Sequence, residues 1–227
     1  MENKKPVAEL ELYLIRHGQS MGNAGYDGRT DLTLKEANDP LLTEKGLTQA
    51  DKAGIYMSKT ELDYIYSSGL IRAISTADGI IRHQPERKSL YILPILSEVG
   101  ISPEYDGITI EEMKEFCETA VLADGISNDS PRVYHSTFEK ESEVFGRAKE
   151  VMEYLQTRYN KGEKVAVVAH AAFLTILIFY IMGFKEAPVF DIAIQNTGIT
   201  KVIFYKKGTN PYGDISFEYI NSTNHLE

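Results

Sequence analysis

Residues 12–20 read Leu12-Tyr13-Leu14-Ile15-Arg16-His17-Gly18-Gln19-Ser20, an apolar run that stops at Arg16 and His17. An unbroken apolar run is typical of a strand buried on both faces of a parallel sheet. In open α/β sheets, ligands bind just beyond the carboxyl ends of the strands. The stretch therefore predicts a central strand that ends in a site, with His17 as a candidate nucleophile and Arg16 as a candidate anion-binding group. A strand that ends in a solvated basic turn would carry the same residues.

Apolar strands alternate with helical patterns along most of the chain. We predict strands over 10–17, 62–66, 90–96 and 165–169, helices over 44–59, 70–82, 138–159 and 171–182, and edge strands over 199–205 and 215–220. Such alternation is typical of an α/β fold, here three-layer α/β/α with a mostly parallel central sheet. Residues 18–40 are expected to form a long loop. We expect one domain over 1–227, with residues 99–137 as a small insertion over the active-site edge.

Composition excludes several classes of partner. The 227 residues are 43% hydrophobic and 25% charged, with a net charge of −9, which argues against non-specific binding to nucleic acid or anionic membrane. The longest apolar block, residues 171–182, is shorter than the roughly 20 residues that span a bilayer. The single cysteine, Cys117, excludes an intrachain disulfide and a cysteine-based zinc cluster. Residues 1–11 show no secretory signal, so we expect a cytoplasmic location. Oligomeric state is not readable from the sequence.

Polar, chemically useful side chains recur where the predicted strands end. His170 follows the run Val168-Ala169 just as His17 follows the first strand. If these two strands are neighbours in a parallel sheet, the two imidazoles converge at its carboxyl edge. Arg72 and Glu98 come after two further strands. The sequence thus places two histidines, two arginines and one glutamate at one edge.

This set of side chains suits phosphoryl transfer. Guanidinium groups fork onto phosphate oxygens and stay charged. A neutral imidazole is a competent nucleophile, and its adduct with phosphorus is hydrolysed by water, so that one difficult step becomes two easier ones. A carboxylic acid near the leaving oxygen protonates it and then deprotonates the incoming water.

Five motifs in order resemble the histidine phosphatase superfamily, in its phosphoglycerate mutase-like branch. The first is Arg16-His17-Gly18-Gln19-Ser20-Met21-Gly22-Asn23, and the others occupy residues 42–50, 67–77, 96–98 and 168–170. The resemblance implies a phosphoglycerate mutase-like fold and a metal-independent phosphatase without a cofactor. It implies that His17 is phosphorylated and that Glu98 is the proton donor. The residues that would hold the phosphoryl group are Arg16, Asn23, Arg72 and His170. Asn196 either orients the site or forms a simple turn.

Departures from the family pattern bear on the reaction. The second histidine is usually followed by two glycines, whereas this chain has Ala171-Ala172, so the backbone there must have ordinary dihedral angles. The mutases carry a tryptophan-containing loop and a basic insertion. This chain has no tryptophan, and its residues 99–137 are acidic overall. These features favour hydrolysis of small phosphate monoesters. A phosphoglycerate mutase and a catalytically inactive phosphate-binding regulatory module remain open.

Three further expectations concern residues outside the five motifs. Residues 99–137 are expected to control the choice of substrate because they follow Glu98. Metal binding by the aspartates of the first loop (Asp27, Asp31 and Asp39) is an alternative to a plain polar loop, which is the commoner case. The histidines outside the motifs lie in polar surroundings and are expected to be solvated; they are His83, His135 and His225.

Overall fold

The structure is a computed structural model and describes residues 5–127, 132–134 and 139–227. A seven-stranded sheet forms the centre of this part of the chain. Its strands are β1 (Ala8–Arg16), β2 (Tyr64–Ser67), β3 (Leu90–Ile92), β4 (Ala120–Leu122), β5 (Glu163–Ala169), β6 (Ile199–Tyr205) and β7 (Ile215–Ser222). They lie in the order β4-β3-β2-β5-β1-β6-β7, and β6 and β7 are antiparallel to their neighbours. The other pairings are parallel. The predicted mostly parallel sheet, with its last two strands at an edge, is confirmed.

Helices cover both faces of this sheet. They are α1 (Leu34–Asn38), α2 (Glu44–Met57), α3 (Ile71–Ile81), α4 (Ile110–Phe116), α5 (Glu141–Arg158) and α6 (Ala171–Ile181), with short 3-10 segments at Gly25–Gly28, Pro94–Leu96 and Asn224–Leu226. Side chains of β1 alternate between two apolar clusters, since successive residues of a strand point to opposite faces. Leu12 and Leu14 pack in the cluster that contains α5 and α6, and Tyr13 and Ile15 pack in the cluster that contains α2 and α3. The three-layer prediction is confirmed, and burial on both faces explains the unbroken apolar run.

Two boundaries differ from the sequence prediction for physical reasons. The strand predicted over 90–96 ends at Ile92, because Pro94 has no N–H to donate to a neighbouring strand and starts a 3-10 turn. Residues 120–122 form β4 and pair with β3, so this part of the 99–137 segment extends the sheet. Residues 128–131 and 135–137 of that segment lie outside the described residues, and so does Phe138 at the predicted start of α5. His135, expected to be solvated, is one of these residues. The division of the chain into one domain stays a prediction.

The long loop between β1 and α2 contains the short helix α1, which a reciprocal cap stabilises. The Thr33 hydroxyl accepts the N–H of Glu36, and the Glu36 carboxylate accepts the N–H of Thr33. None of the helices that the structure describes is both long and apolar enough to cross a membrane.

Candidate active site

Neighbouring parallel strands bring the two predicted histidines together. β1 and β5 pair in register, with Arg16 opposite Ala169, so that His17 and His170 leave the sheet at the same edge. Their ring centroids are 5.1 Å apart, and the ring planes are inclined at 57°. Both side chains are buried. The convergence predicted from the matching strand ends is confirmed.

Hydrogen bonds fix which nitrogen of His17 carries the proton. Its Nδ1 lies 2.7 Å from the carbonyl oxygen of Gly18, which only accepts, so Nδ1 is the donor. Its Nε2 accepts the Nε–H of Arg72 at 3.3 Å. Burial, and then the charge of Arg72, lower the pKa of His17 well below its ordinary value. His17 is therefore a neutral imidazole whose lone pair is on Nε2.

His170 is held from the opposite side by a serine at the end of β2. Its Nε2 lies 2.7 Å from the Ser68 hydroxyl oxygen. Its Nδ1 is buried and has no hydrogen-bond partner. Burial and the charge of Arg72 lower the pKa of His170 well below its ordinary value, so this ring is also neutral. In the tautomer in which Ser68 donates to Nε2, the hydrogen is on Nδ1, which can then donate to a bound anion.

Arg72 is anchored by a buried carboxylate that the sequence did not identify as its partner. The guanidinium Nη1 donates to the carbonyl of Asn38 at 3.0 Å and lies 3.8 Å from Asp39 Oδ1. The Asp39 carboxylate also accepts the N–H of Ile71 at 2.7 Å and the hydroxyl of Tyr105 at 2.9 Å. Burial raises the pKa of Asp39 from its ordinary 3.8 to about 6. Asp39 thus holds the residue that faces His17.

Arg16 contributes a second guanidinium at the same edge. Its Nη1 donates to the carbonyl of Ile194 at 2.6 Å, whereas its Nε is buried without a hydrogen-bond partner. Among the described residues, two buried side-chain nitrogens have no hydrogen-bond partner, namely Arg16 Nε and His170 Nδ1. Native proteins rarely leave buried polar nitrogens unpaired, because each costs about 1–3 kcal/mol. Both belong to the site, which is what an anion-binding pocket requires.

Glu98 lies against the first turn of α6, directly after His170. Its carboxylate accepts the N–H of Val99 at 3.0 Å, of Phe173 at 3.1 Å and of Ala172 at 3.4 Å. The positive end of the helix dipole favours a carboxylate there. Its charge raises the pKa values of both Arg16 and Arg72, although burial lowers each of them overall. Glu98 therefore faces the two guanidiniums.

The two alanines that replace the family's glycines do not distort this turn. Neither Ala171 nor Ala172 has a positive φ, as the sequence predicted, and both belong to the regular helix α6. The N–H of Ala172 remains directed at Glu98. The methyl groups change the surface of the site and leave its backbone hydrogen bonds in place.

Loop residues hold the backbone of His17. The Asn196 side chain donates to the carbonyl of His17 at 3.0 Å and to Asn23 Oδ1 at 3.1 Å, so it orients the loop and is more than a turn residue. Asn23 is exposed, and its amide oxygen also accepts the N–H of Ser20. Thr197, at a φ of 55°, donates its N–H to the carbonyl of Arg16, and its hydroxyl lies 3.0 Å from His225 Nε2. The expectation that His225 is solvated is therefore wrong.

The motif at 42–50 packs against the loop after His17. A Cβ on Gly18 would come within 2.5 Å of the carbonyl oxygen of Gly46, so both glycines are needed for this approach. The N–H of Gly18 donates to the Thr76 hydroxyl at 2.9 Å. The N–H of Thr43 donates to the carbonyl of Gln19 at 2.9 Å. The first turn of α2 therefore fixes the loop whose carbonyl sets the His17 tautomer.

The aspartates of the first loop show no arrangement suited to a metal ion. Asp39 binds Arg72 and Tyr105, and Asp31 lies 3.4 Å from Arg29. Within the part of the chain that the structure describes, no group of three or more His, Cys, Asp or Glu side chains is placed to hold a metal ion.

A family model decides the classification. The model described as the histidine phosphatase superfamily (branch 1) matches residues 12–211. The chain belongs to the histidine phosphatase superfamily. The family resemblance of the five motifs is confirmed, and the matched region includes the whole site from Arg16 to Asn196.

Two curated relatives are matched by this chain over only part of their length. The fructose-2,6-bisphosphatase TIGAR of Xenopus laevis is 29% identical over 151 residues, which cover 66% of this chain and 50% of that protein. A 2,3-bisphosphoglycerate-dependent phosphoglycerate mutase of Arabidopsis thaliana is 40% identical over 94 residues, 40% of this chain and 26% of that protein. The chain thus spans about half the length, or less, of these two relatives.

Solved structures match over nearly the whole chain. Phosphoserine phosphatase of Entamoeba histolytica, solved with 3-phosphoglyceric acid, is 25% identical with a TM-score of 0.64, covering 96% of this chain and all of that one. Phosphoglycerate mutase of Bacillus anthracis has a TM-score of 0.61 at 19% identity, covering 100% of this chain and 98% of that one. The second likeness concerns the fold alone. Together they agree with the predicted phosphoglycerate mutase-like architecture.

Proposed function

We propose that this protein hydrolyses small phosphate monoesters through a phosphohistidine at His17. One observation carries the proposal: the Gly18 carbonyl holds the proton of His17 on Nδ1, and Arg72 faces the lone pair on Nε2. A nucleophile of fixed tautomer beside a cation is the arrangement that attack on a phosphoryl group requires. Burial keeps the imidazole neutral, so no proton has to leave before the attack.

The phosphoryl oxygens would be bound by the charged and polar groups around that lone pair. Arg72, the unpaired Nε–H of Arg16 and the unpaired Nδ1 of His170 all lie at this edge of the sheet, and the His170 tautomer that accepts from Ser68 makes Nδ1 a donor. A bound phosphoryl group would supply acceptors to both unpaired nitrogens. In this proposal, Asn23 acts at the rim of the same site, beside Asn196 and Ser20.

The reaction balances in two steps. His17 Nε2 attacks phosphorus, the new N–P bond forms as the bond to the ester oxygen breaks, and Glu98 in its acid form gives its proton to the leaving alcohol. Water then attacks phosphorus, Glu98 takes a proton from that water, and the N–P bond breaks to release inorganic phosphate and restore neutral His17. The groups in the site thus serve as nucleophile, anion-binding groups and acid–base pair.

Two features of the sequence favour hydrolysis over the isomerisation of phosphoglycerate. The chain has no tryptophan, and its residues 99–137 are acidic overall. Both phosphatases and mutases occur among the relatives, so the reaction is not decided by similarity. The regulatory-module alternative rested on Ala171-Ala172, and the ordinary backbone of these residues weakens it.

The test is phosphate release from an aryl phosphate in the presence of a metal chelator. We expect turnover by the wild type and at least a thousandfold loss in His17→Ala, with His83→Ala as the matched control because His83 binds Asp51 away from the site. Incubation with 3-phosphoglycerate and 2,3-bisphosphoglycerate is the second arm. Isomerisation without phosphate release would replace the phosphatase proposal with the mutase, and full activity of His17→Ala would refute both.

The partners and the location complete the proposal. The only partner required is a small phosphorylated substrate, and neither a cofactor nor a metal enters the two steps. A cytoplasmic location accords with the single cysteine, Cys117, which is buried as a free thiol whose pKa burial raises. Fractionation of cells that express the protein tests the location.

A further inference from the structure

A large apolar cavity opens beside the acid end of the site. It has a volume of about 840 Å³, within the range of about 300–1,000 Å³ that is typical of small-molecule pockets. One wall is α6, which contributes Ala172, Thr175 and Ile176, and the opposite wall is the segment 187–194. Residues 99–137 were expected to control the choice of substrate. Within the described part of that segment, only Val99 lines the cavity.

The cavity adjoins the groups proposed to act on the leaving oxygen, because residues bonded to those groups line it. Val99 follows Glu98, and Ala172 donates its N–H to the Glu98 carboxylate. Ile194, which also lines the cavity, accepts a hydrogen bond from the guanidinium of Arg16 through its carbonyl. An acid protonates the leaving oxygen, so the alcohol must leave on the side of Glu98. That is the side on which the cavity lies.

The lining of the cavity selects against charge in the alcohol. Phe190 packs edge-on against Phe179, with ring centroids 5.6 Å apart, and the fully exposed Val189 also lines the cavity. Glu139, Glu141 and Asp191 line the same space, with Glu139 paired to Arg147, whereas no Lys or Arg among the described residues lines it. Apolar walls that carry these carboxylates favour an alkyl or aryl group and repel a second phosphate or carboxylate.

We propose that this cavity binds the alcohol portion of the substrate, and that the preferred substrates are monophosphate esters of uncharged, apolar alcohols. The methyl groups of Ala171 and Ala172, where the family has glycines, are part of that apolar wall. The inference rests on the proposed function, since it names the class of ester that the same site cleaves. Segment 187–194 is then the determinant of specificity.

The test uses alkylphosphonates, whose C–P bond is not hydrolysed, so that binding is measured apart from turnover. We expect calorimetric affinity to rise by about three- to fourfold per methylene from butyl- to octylphosphonate, as burial of each CH₂ predicts. Val189→Asp should weaken the binding of octylphosphonate about tenfold and leave the binding of methylphosphonate unchanged, because the new carboxylate would face only the long alkyl chain. Since the side chain of Val189 is fully exposed, the exchange should not affect folding. Val7→Asp, the same exchange at an exposed site before β1, should change the affinity for neither phosphonate.

A second arm tests the charge argument. Hexane-1,6-bisphosphonate should bind at least tenfold more weakly than hexylphosphonate, and the double variant Glu141→Gln and Asp191→Asn should reduce that difference, since amide oxygens keep the backbone hydrogen bonds without the charge. Affinity that is independent of chain length would overturn the inference and leave the proposed function standing. Light scattering that shows a dimer, together with its dissociation by Val189→Asp and an affinity independent of the alkyl length of the phosphonate, would also overturn the inference and leave the proposed function standing. In that case the cavity would be an interface between two copies of the chain. Absence of phosphonate binding and of any ester hydrolysis would overturn both.

Discussion

Substitution of Gly46 by alanine tests whether the first turn of α2 positions the nucleophile. A Cβ on Gly46 would collide with the backbone carbonyl oxygen of Gln19 and would lie 2.9 Å and 3.0 Å from its carbonyl carbon and nitrogen. All three are backbone atoms, so no flexible side chain can move out of the way. The loop that follows His17 must therefore shift on the order of 1 Å, a displacement that costs about a hundredfold in rate when it reaches a reacting group.

The expected cost has a structural part and a catalytic part. Overpacking of this kind destabilises by about 1–3 kcal/mol. The carbonyl of Gly18, next to Gln19, holds the proton on His17 Nδ1. We therefore expect kcat/KM to fall about tenfold to a hundredfold and the melting temperature to fall by a few degrees, at about 2–4 °C per kcal/mol for a chain of this size.

Gly146→Ala is the matched control. Gly146 lies within α5, is exposed, and an added Cβ meets nothing within 4 Å. Because alanine is favoured over glycine in a helix by about 1 kcal/mol, this variant should be slightly more stable with unchanged kinetics. Thermal unfolding and steady-state kinetics on an aryl phosphate are measured for both variants. A Gly46→Ala enzyme with wild-type kcat/KM would refute the idea that this contact positions His17.

Three further predictions concern the acid, the buried aspartate and the two imidazoles. Glu98→Gln should slow esters of poorly acidic alcohols at least tenfold more than aryl esters, and equal slowing in kinetic assays would remove the proton-donor role. The pKa of Asp39 is about 6 in the folded protein and 3.8 ordinarily, so its contribution to stability is greatest below about pH 4 and is lost as pH rises through 6. Relative to the wild type, Asp39→Asn should therefore gain about 2 kcal/mol in free energy of unfolding between pH 4 and pH 7, measured with urea, and parallel pH profiles would contradict this. Because burial lowers the pKa values of His17 and His170 well below 6.5, NMR signals of both rings should stay at neutral values from pH 8 to 5.5, and titration near 6.5 would show that water reaches them.

The sequence predicted the pairing of His17 and His170 because their placement follows from strand order alone. Both histidines end apolar strands, and parallel neighbours have their carboxyl ends at one edge. The same reasoning placed Arg72 and Glu98 at that edge. What each residue contributes to catalysis stays a prediction, because it depends on a substrate.

Contacts between distant segments were not accessible in this way. The bond from Asp39 to Arg72 spans 33 positions, and the bond from Tyr105 to Asp39 spans 66. An aspartate before a proline in a polar loop has no pattern that marks it as buried. The edge strand β4 has only three residues, too few for a period of two to be recognised.

The central claim is tested most directly by isolating the phosphorylated enzyme. The protein is mixed with an aryl phosphate, quenched in alkali within milliseconds, digested and analysed by mass spectrometry. We predict an acid-labile phosphoryl group on His17 that appears before free phosphate reaches its steady rate and is absent from His17→Ala. Steady hydrolysis with no phosphorylated intermediate, or with the phosphoryl group on any other residue, would contradict the account.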